Sequence, residues 1–281
     1  MVTRMENERT RPIRLIAADL DGTLFNTKHR ISPETKRAMA ETRQAGIQLI
    51  LATGRNRNYV TNLLEEIELD LPAICSGGAA IISGQSNQTI SERPFLLDGQ
   101  EPDMIAWAEE QISGIVVDYV SGKMAWLASD ALIEKLSVYF ANSMNARDRI
   151  FTMDAGKADP ILKISFIAPF SSPVWVSDLN ERFPGFHFVY SGFNCIDSTA
   201  PGVDKGSALR IYAEKFGYLP GQTAAMGDQT NDIPMLAFSG LPIAMENASE
   251  DVKKAAKWVA PPNDLDGAAW TLRRICEYHS N

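Results

Sequence analysis

Two carboxylates, Asp19 and Asp21, stand either side of a single leucine where the apolar run Leu15 to Ala18 ends, in the stretch LIAADLDGTLF. Asp is depleted in strands, and strand positions two apart share a face, so the two like charges repel. The pattern calls for a positive partner. Read alone, residues 19–23 are equally a solvated strand end and turn, since Asp, Gly and Thr are turn formers. Read as chemistry, the pair would hold a hard cation such as Mg²⁺, which prefers carboxylate oxygen and keeps several waters. A carboxylate beside that cation can attack phosphorus, while its neighbour serves as acid toward the leaving oxygen and base toward water.

Three further stretches invite the same double reading. Thr53-Gly54-Arg55 closes a second apolar run; it is an ordinary turn by composition, or a phosphate cradle of one hydroxyl and free backbone N–H groups beside a glycine. Arg55 would face a substrate or pair with a local acid. Lys205 stands at the start of a helical stretch, where a cation opposes the helix macrodipole and a bound anion would resolve the conflict. Gly227-Asp228-Gln229-Thr230-Asn231-Asp232 follows a third apolar run. It reads as a helix-capping turn, or as Asp228 offered to a cation and Asn231 to a phosphate oxygen.

The elements that must position these residues follow from the apolar pattern. A strand is expected over residues 13–18, a helix capped by Ser32 with Pro33 at its first position and running to residue 44, and a doubly buried strand over 47–52. A helix over 58–66 and a strand from 73 to 75 follow. Strand–helix alternation of this kind predicts a parallel sheet with right-handed crossovers, whose ligands bind beyond the carboxyl ends of the strands. Residues 83–188 differ in texture, with expected strands over 115–119, 124–128, 161–167 and 186–190, a hairpin turn at 121–123, and helices over 102–111, 130–143 and 173–182. The first texture then returns, with a helix through Lys215 and strands over 223–226 and 242–245. The fold class is therefore α/β: a Rossmann-like parallel-sheet core made of residues 1–82 and 189–281, with an inserted α+β cap domain at 83–188.

Composition narrows the partners. With 281 residues, 45% hydrophobic and 22% charged, the chain has the balance of a globular protein long enough for two units. A net charge of -8 argues against nucleic acid as the main partner, because phosphate backbones are held by basic faces. No apolar run reaches membrane-spanning length, and the polar start MVTRMENERTRP does not resemble a signal peptide; a cytoplasmic protein with a short disordered start is expected. Cys75, Cys195 and Cys276 form neither a disulfide framework nor a CxxC site, and His29, His187 and His279 have no metal-ligand spacing.

DLDGTL, ATGR, DKGSAL and GDQTND stand in the order and contexts of the haloacid dehalogenase superfamily of phosphohydrolases. The chain resembles most its Cof-type branch, which carries a large α/β cap between the second and third motifs. The resemblance implies a phosphatase acting through an aspartyl-phosphate, with Asp19 as nucleophile and Asp21 as general acid and base. It implies Mg²⁺ between the Asp19 carboxylate, the Asp21 backbone carbonyl and Asp228. Thr53 with Gly54, Lys205 and Asn231 would hold the transferring phosphoryl group, and Asp232 would orient Lys205 or the metal waters. The implied partner is a small phosphorylated metabolite, most naturally a sugar phosphate, in a monomer or homodimer. A phosphosugar mutase and a catalytically silent metabolite-binding protein are the alternatives. The chain departs from the branch at Gly77, where Asn is common, so a side-chain amide at the cap hinge is missing. The aromatic residues Trp107, Trp126, Tyr139 and Phe140 are expected to pack the cap core or line a pocket.

Overall fold

The computed structural model of the chain describes residues 12–96, 99–111, 114–122, 124–127, 150–151, 160–167, 174–192 and 195–279. The expected helix over 130–143, the polar start, residues 123, 128 and 173, and Tyr139, Phe140 and the side chain of Trp126 lie outside the described set.

Eight strands form the first sheet, in the order β14 (Trp258–Ala260), β13 (Leu241–Met245), β12 (Thr223–Gly227), β1 (Leu15–Ala18), β2 (Gln48–Ala52), β3 (Ala73–Cys75), β4 (Ala80–Ile82) and β5 (Thr89–Glu92). The six from β14 to β3 are parallel, and β4 and β5 add on antiparallel. The run QLILA is continuously apolar after its first residue because both faces are covered. Leu49 and Leu51 pack with Met39 and Leu64 on one side, while Ile50 and Ala52 pack with Leu209, Tyr212 and Leu236 on the other. The helix Pro33–Gln44 starts as its sequence dictates, with the Ser32 Oγ accepting from the Thr35 N–H at 3.0 Å. These crossovers deliver the carboxyl ends of β1, β2 and β12 to one edge, so residues 19, 53 and 228 become neighbours.

The second sheet has the order β10 (His187–Gly192), β11 (Cys195–Thr199), β9 (Ile161–Ile167), β6 (Gly114–Tyr119), β7 (Met124–Leu127), β8 (Ile150–Phe151). It is antiparallel except for the β7–β8 pair. One face is apolar: Ile115, Val117, Ile164, Phe166 and Phe188 pack beneath the helices Glu101–Glu110 and Val174–Arg182. Trp107 belongs to this core, edge-on to Phe166 at 5.1 Å, with its indole N–H donating to Asp178 at 2.6 Å.

The other face carries Asp118, Lys163, Ser165 and Asp197, turned toward the first sheet and in contact with it. Three strands part from the expected domain limits. β5 hydrogen-bonds into the first sheet, while β10, which runs past residue 188, and β11 belong to the second, so we place the proposed borders of the insertion after Glu92 and after Thr199, instead of at 83 and 188. Texture misled there because CIDST and TISE are too polar to announce strands.

Candidate active site

β1 ends at Ala18, and the chain then coils through one wide turn, Leu20–Leu24. Asp19 and Asp21 therefore lie beyond the strand and do not share a strand face, contrary to the expectation from their spacing. Each has instead found its own cation. The Lys205 ammonium, 2% exposed, lies 2.7 Å from Asp19 Oδ1 and 2.6 Å from Asp232 Oδ1. Asp21 receives both the Nε–H of Arg55 at 2.9 Å and an Nη2–H at 2.7 Å, while the guanidinium lies 4.5 Å over the Tyr59 ring.

Lys205 opens the helix Lys205–Phe216 behind a capping box, in which Asp204 Oδ1 accepts from the Ser207 N–H at 2.6 Å and Ser207 Oγ accepts from the Asp204 N–H at 3.0 Å. The expected need for a bound anion at this helix start is corrected here: the carboxylates of Asp19 and Asp232 supply the opposing charge from within the chain. Burial lowers the lysine's proton affinity, but the two carboxylates outweigh it and the ammonium is held well above its usual range.

Asp232, fully buried, spends its second oxygen on the backbone N–H groups of Asp228 and Gln229, both at 2.9 Å. That pins the turn after β12. Asp228 then accepts from Thr23 Oγ1 at 3.2 Å and from the Gln229 side chain at 3.1 Å. Gly22 is required beside it: its φ is +83°, and a Cβ there would fall 2.2 Å from Asp228 Oδ2.

One oxygen from each of Asp19, Asp228 and Asp232 lies within 4.8 Å of the others. Three carboxylates share one buried lysine, which leaves the cluster with excess negative charge. Burial first, and then its acidic neighbours against the pull of Lys205, raises the Asp19 carboxyl well above the ordinary range. Burial and Asp232 push Asp228 up to about 7. Hard, buried oxygens held this close together fit a small divalent cation. Asp232 accepts three hydrogen bonds, from Lys205 and two backbone N–H groups, whereas Asp228 accepts one at each oxygen and Asp19 a single one from Lys205, so Asp19 and Asp228 keep the most capacity for a cation. Asp21 is different: burial pushes its carboxyl upward, but the hydrogen bonds and charge of Arg55, helped by His29 and Lys205, leave it lowered. Its carboxylate faces Arg55 and is not in the three-acid group.

Thr53, 1% exposed, follows β2, and its Oγ1 accepts from the Arg55 N–H at 3.1 Å. The Gly54 carbonyl accepts from Lys163 of the second sheet at 2.8 Å. Asn231, in the turn that carries Asp232, has a buried side-chain oxygen with no hydrogen-bond partner among the described residues, and the amide can present its NH₂ by a flip. Sequence reasoning missed Thr23, Gln229, Ser76 and the inner face of the second sheet. For Asp118 and Lys163 the available signal was a charged residue within an otherwise largely apolar strand, as in GIVVDY and ILKISFI.

Residues 16–272 match the family model described as haloacid dehalogenase-like hydrolase. The chain is 28% identical over 265 residues to the pyridoxal phosphate phosphatase YbhA of Escherichia coli, covering 91% of this chain and 96% of that protein. It is 28% identical over 262 residues to the 5-amino-6-(5-phospho-D-ribitylamino)uracil phosphatase YcsE of Bacillus subtilis, covering 93% and 95%. A solved haloacid dehalogenase-like hydrolase from Bacteroides thetaiotaomicron superposes with a TM-score of 0.76 at 28% identity, covering 94% of this chain and 99% of that one.

Proposed function

From the premise that this chain belongs to the haloacid dehalogenase-like hydrolases and is a phosphoric monoester hydrolase, we propose that it removes phosphate from a small hydroxyl-bearing metabolite, a sugar or polyol phosphate, with Mg²⁺ as cofactor. The observation that carries this reading is the buried Asp19–Lys205–Asp232 array beside Asp228. Asp19 and Asp228, with the backbone of Asp21, would hold the cation. When bound, it would neutralise charge on the phosphoryl oxygens and on the attacking carboxylate.

The protein's own residues do the rest. Asp19 attacks phosphorus in line; the P–O bond to the metabolite breaks, and an aspartyl-phosphate forms. Lys205 and Asn231 hold the equatorial oxygens, with the hydroxyl and backbone N–H groups around Thr53 and Gly54 closing the cradle. Asp21 gives its proton to the departing oxygen and later takes one from the water that hydrolyses the acyl phosphate, restoring Asp19. Because Arg55 grips Asp21 bidentately, that guanidinium must turn away before Asp21 can carry a proton. The second sheet excludes bulk water while this happens.

The test is phosphate release from a panel of sugar, polyol and cofactor phosphates, with Mg²⁺ and with a chelator. Metal-dependent release from sugar or polyol phosphates supports the reading. Isomerised sugar phosphate without free phosphate would replace it with a mutase.

A further inference from the structure

The inner face of the second sheet holds a polar group that the chemistry above does not use. Asp118 of β6 and Lys163 of β9 are direct cross-strand neighbours, and Asp197 of β11 lies opposite Ser165. Lys163 donates to the Gly54 carbonyl at 2.8 Å and to Asp197 Oδ2 at 3.1 Å, and Ser165 Oγ donates to Asp197 Oδ1 at 2.6 Å. Gly54 belongs to the proposed phosphate cradle, so the ammonium stands against the cradle's own backbone. Asp118 is 2% exposed; one oxygen accepts from the hydroxyl of Ser76, in the turn that follows β3, and Oδ1 has no partner among the described residues.

Lys163 has three N–H groups, and two are committed in these contacts. Two strand neighbours on the face above the cradle thus present an uncommitted donor and an uncommitted, buried acceptor. No ion pair joins them among the described residues. A hydroxyl group, which accepts from one side and donates to the other, bridges such a pair; an orphaned buried carboxylate oxygen is costly unless a ligand completes it. Gly77 adds room: a Cβ there would sit 3.5 Å from Thr199 and 4.0 Å from Lys163 Cδ, so the missing side chain leaves space beside the lysine.

We propose that Lys163 and Asp118 form the leaving-group subsite, reading hydroxyls on a neutral polyol and rejecting a leaving group with a second phosphate. The rejection follows from charge. The neighbouring guanidiniums are already paired, Arg57 with Glu92 and Arg55 with Asp21, and the one remaining ammonium faces the carboxylates of Asp118 and Asp197, so a further dianion meets net negative potential.

This inference rests on the phosphatase reading, and the experiment separates the two. kcat/KM is measured with Mg²⁺ for hexose, pentose and alditol monophosphates, for a hexose bisphosphate and for p-nitrophenyl phosphate, which has no hydroxyl on its leaving group. The wild type is compared with Lys163→Met and Asp118→Asn. The expected result is that the ratio of the best polyol monophosphate to the aryl phosphate falls roughly tenfold to a hundredfold in each variant, mostly through KM, while Asp118→Asn also narrows the gap between monophosphate and bisphosphate. Asp118→Asn keeps an oxygen for Ser76 and removes a buried charge, so it remains informative if Lys163→Met does not fold. A merely structural role would lower both substrates together. An unchanged ratio in folded Asp118→Asn overturns the subsite, whereas a wild type silent on every ester overturns the parent reading.

Discussion

Replacing Asp118 by Asn should make the protein more stable above neutral pH, although Asp118 makes a hydrogen bond across the two sheets. Burial raises the Asp118 carboxyl from 3.8 to about 6, with Asp197 adding to the rise and Ser76, Lys163 and Arg57 opposing it. Between those values the folded chain holds a proton that the unfolded chain has lost, so stability falls as pH rises through the window from about 4 to 6. About two units at 1.36 kcal/mol each gives a penalty of roughly 3 kcal/mol at pH 8, and the same linkage leaves roughly half of it at pH 5. Asn is neutral at every pH and still accepts from Ser76. The assay is urea unfolding of wild type and Asp118→Asn at pH 8 and pH 5, with the midpoint and slope fitted together. The variant should lead by a few kcal/mol at pH 8 and by clearly less at pH 5. Equal differences at both pH values, or a variant weaker than wild type at pH 8, would refute the reasoning that Asp118 is a desolvated and incompletely satisfied carboxylate.

Lys205→Met leaves Asp19 and Asp232 buried without their cation; kcat should fall roughly 10²- to 10³-fold, and urea unfolding should show a loss of about 3–5 kcal/mol. Gly22→Ala forces a Cβ into Asp228 at a left-handed backbone position, so a loss of about 1–3 kcal/mol should accompany weaker Mg²⁺ binding by isothermal titration. Ser32→Ala removes the cap that Thr35 uses and should cost about 1 kcal/mol in thermal unfolding, with kcat/KM unmoved.

Most of the fold was legible because the core strands bury both faces and say so in runs such as LIAA and QLILA, while Ser32-Pro33 marks a helix start by capping chemistry. The edge on which Asp19, Thr53 and Asp228 meet followed from strand–helix alternation alone. What stayed hidden was side-chain pairing across long separations. ATGR left Arg55 open between a substrate and a local acid, and only the fold identifies that acid as Asp21, 34 residues away; the resemblance pointed Asp232 at Lys205 or the metal waters, but not at the backbone of its own turn. The inner face of the second sheet was missed for a related reason. Asp118, Lys163 and Asp197 sit in three separate strands, and only the register of β6, β9 and β11 gathers them.

Covalent phosphorylation of Asp19 is the central claim, and it is tested most directly in Asp21→Asn with p-nitrophenyl phosphate, whose good leaving group needs no acid. Mixing with Mg²⁺, quenching in acid and mapping by peptide mass spectrometry should reveal an accumulating, hydroxylamine-sensitive phosphoryl group on Asp19, absent when Asp19→Asn is added. Release of nitrophenol with no adduct, or an adduct on any other residue, contradicts it.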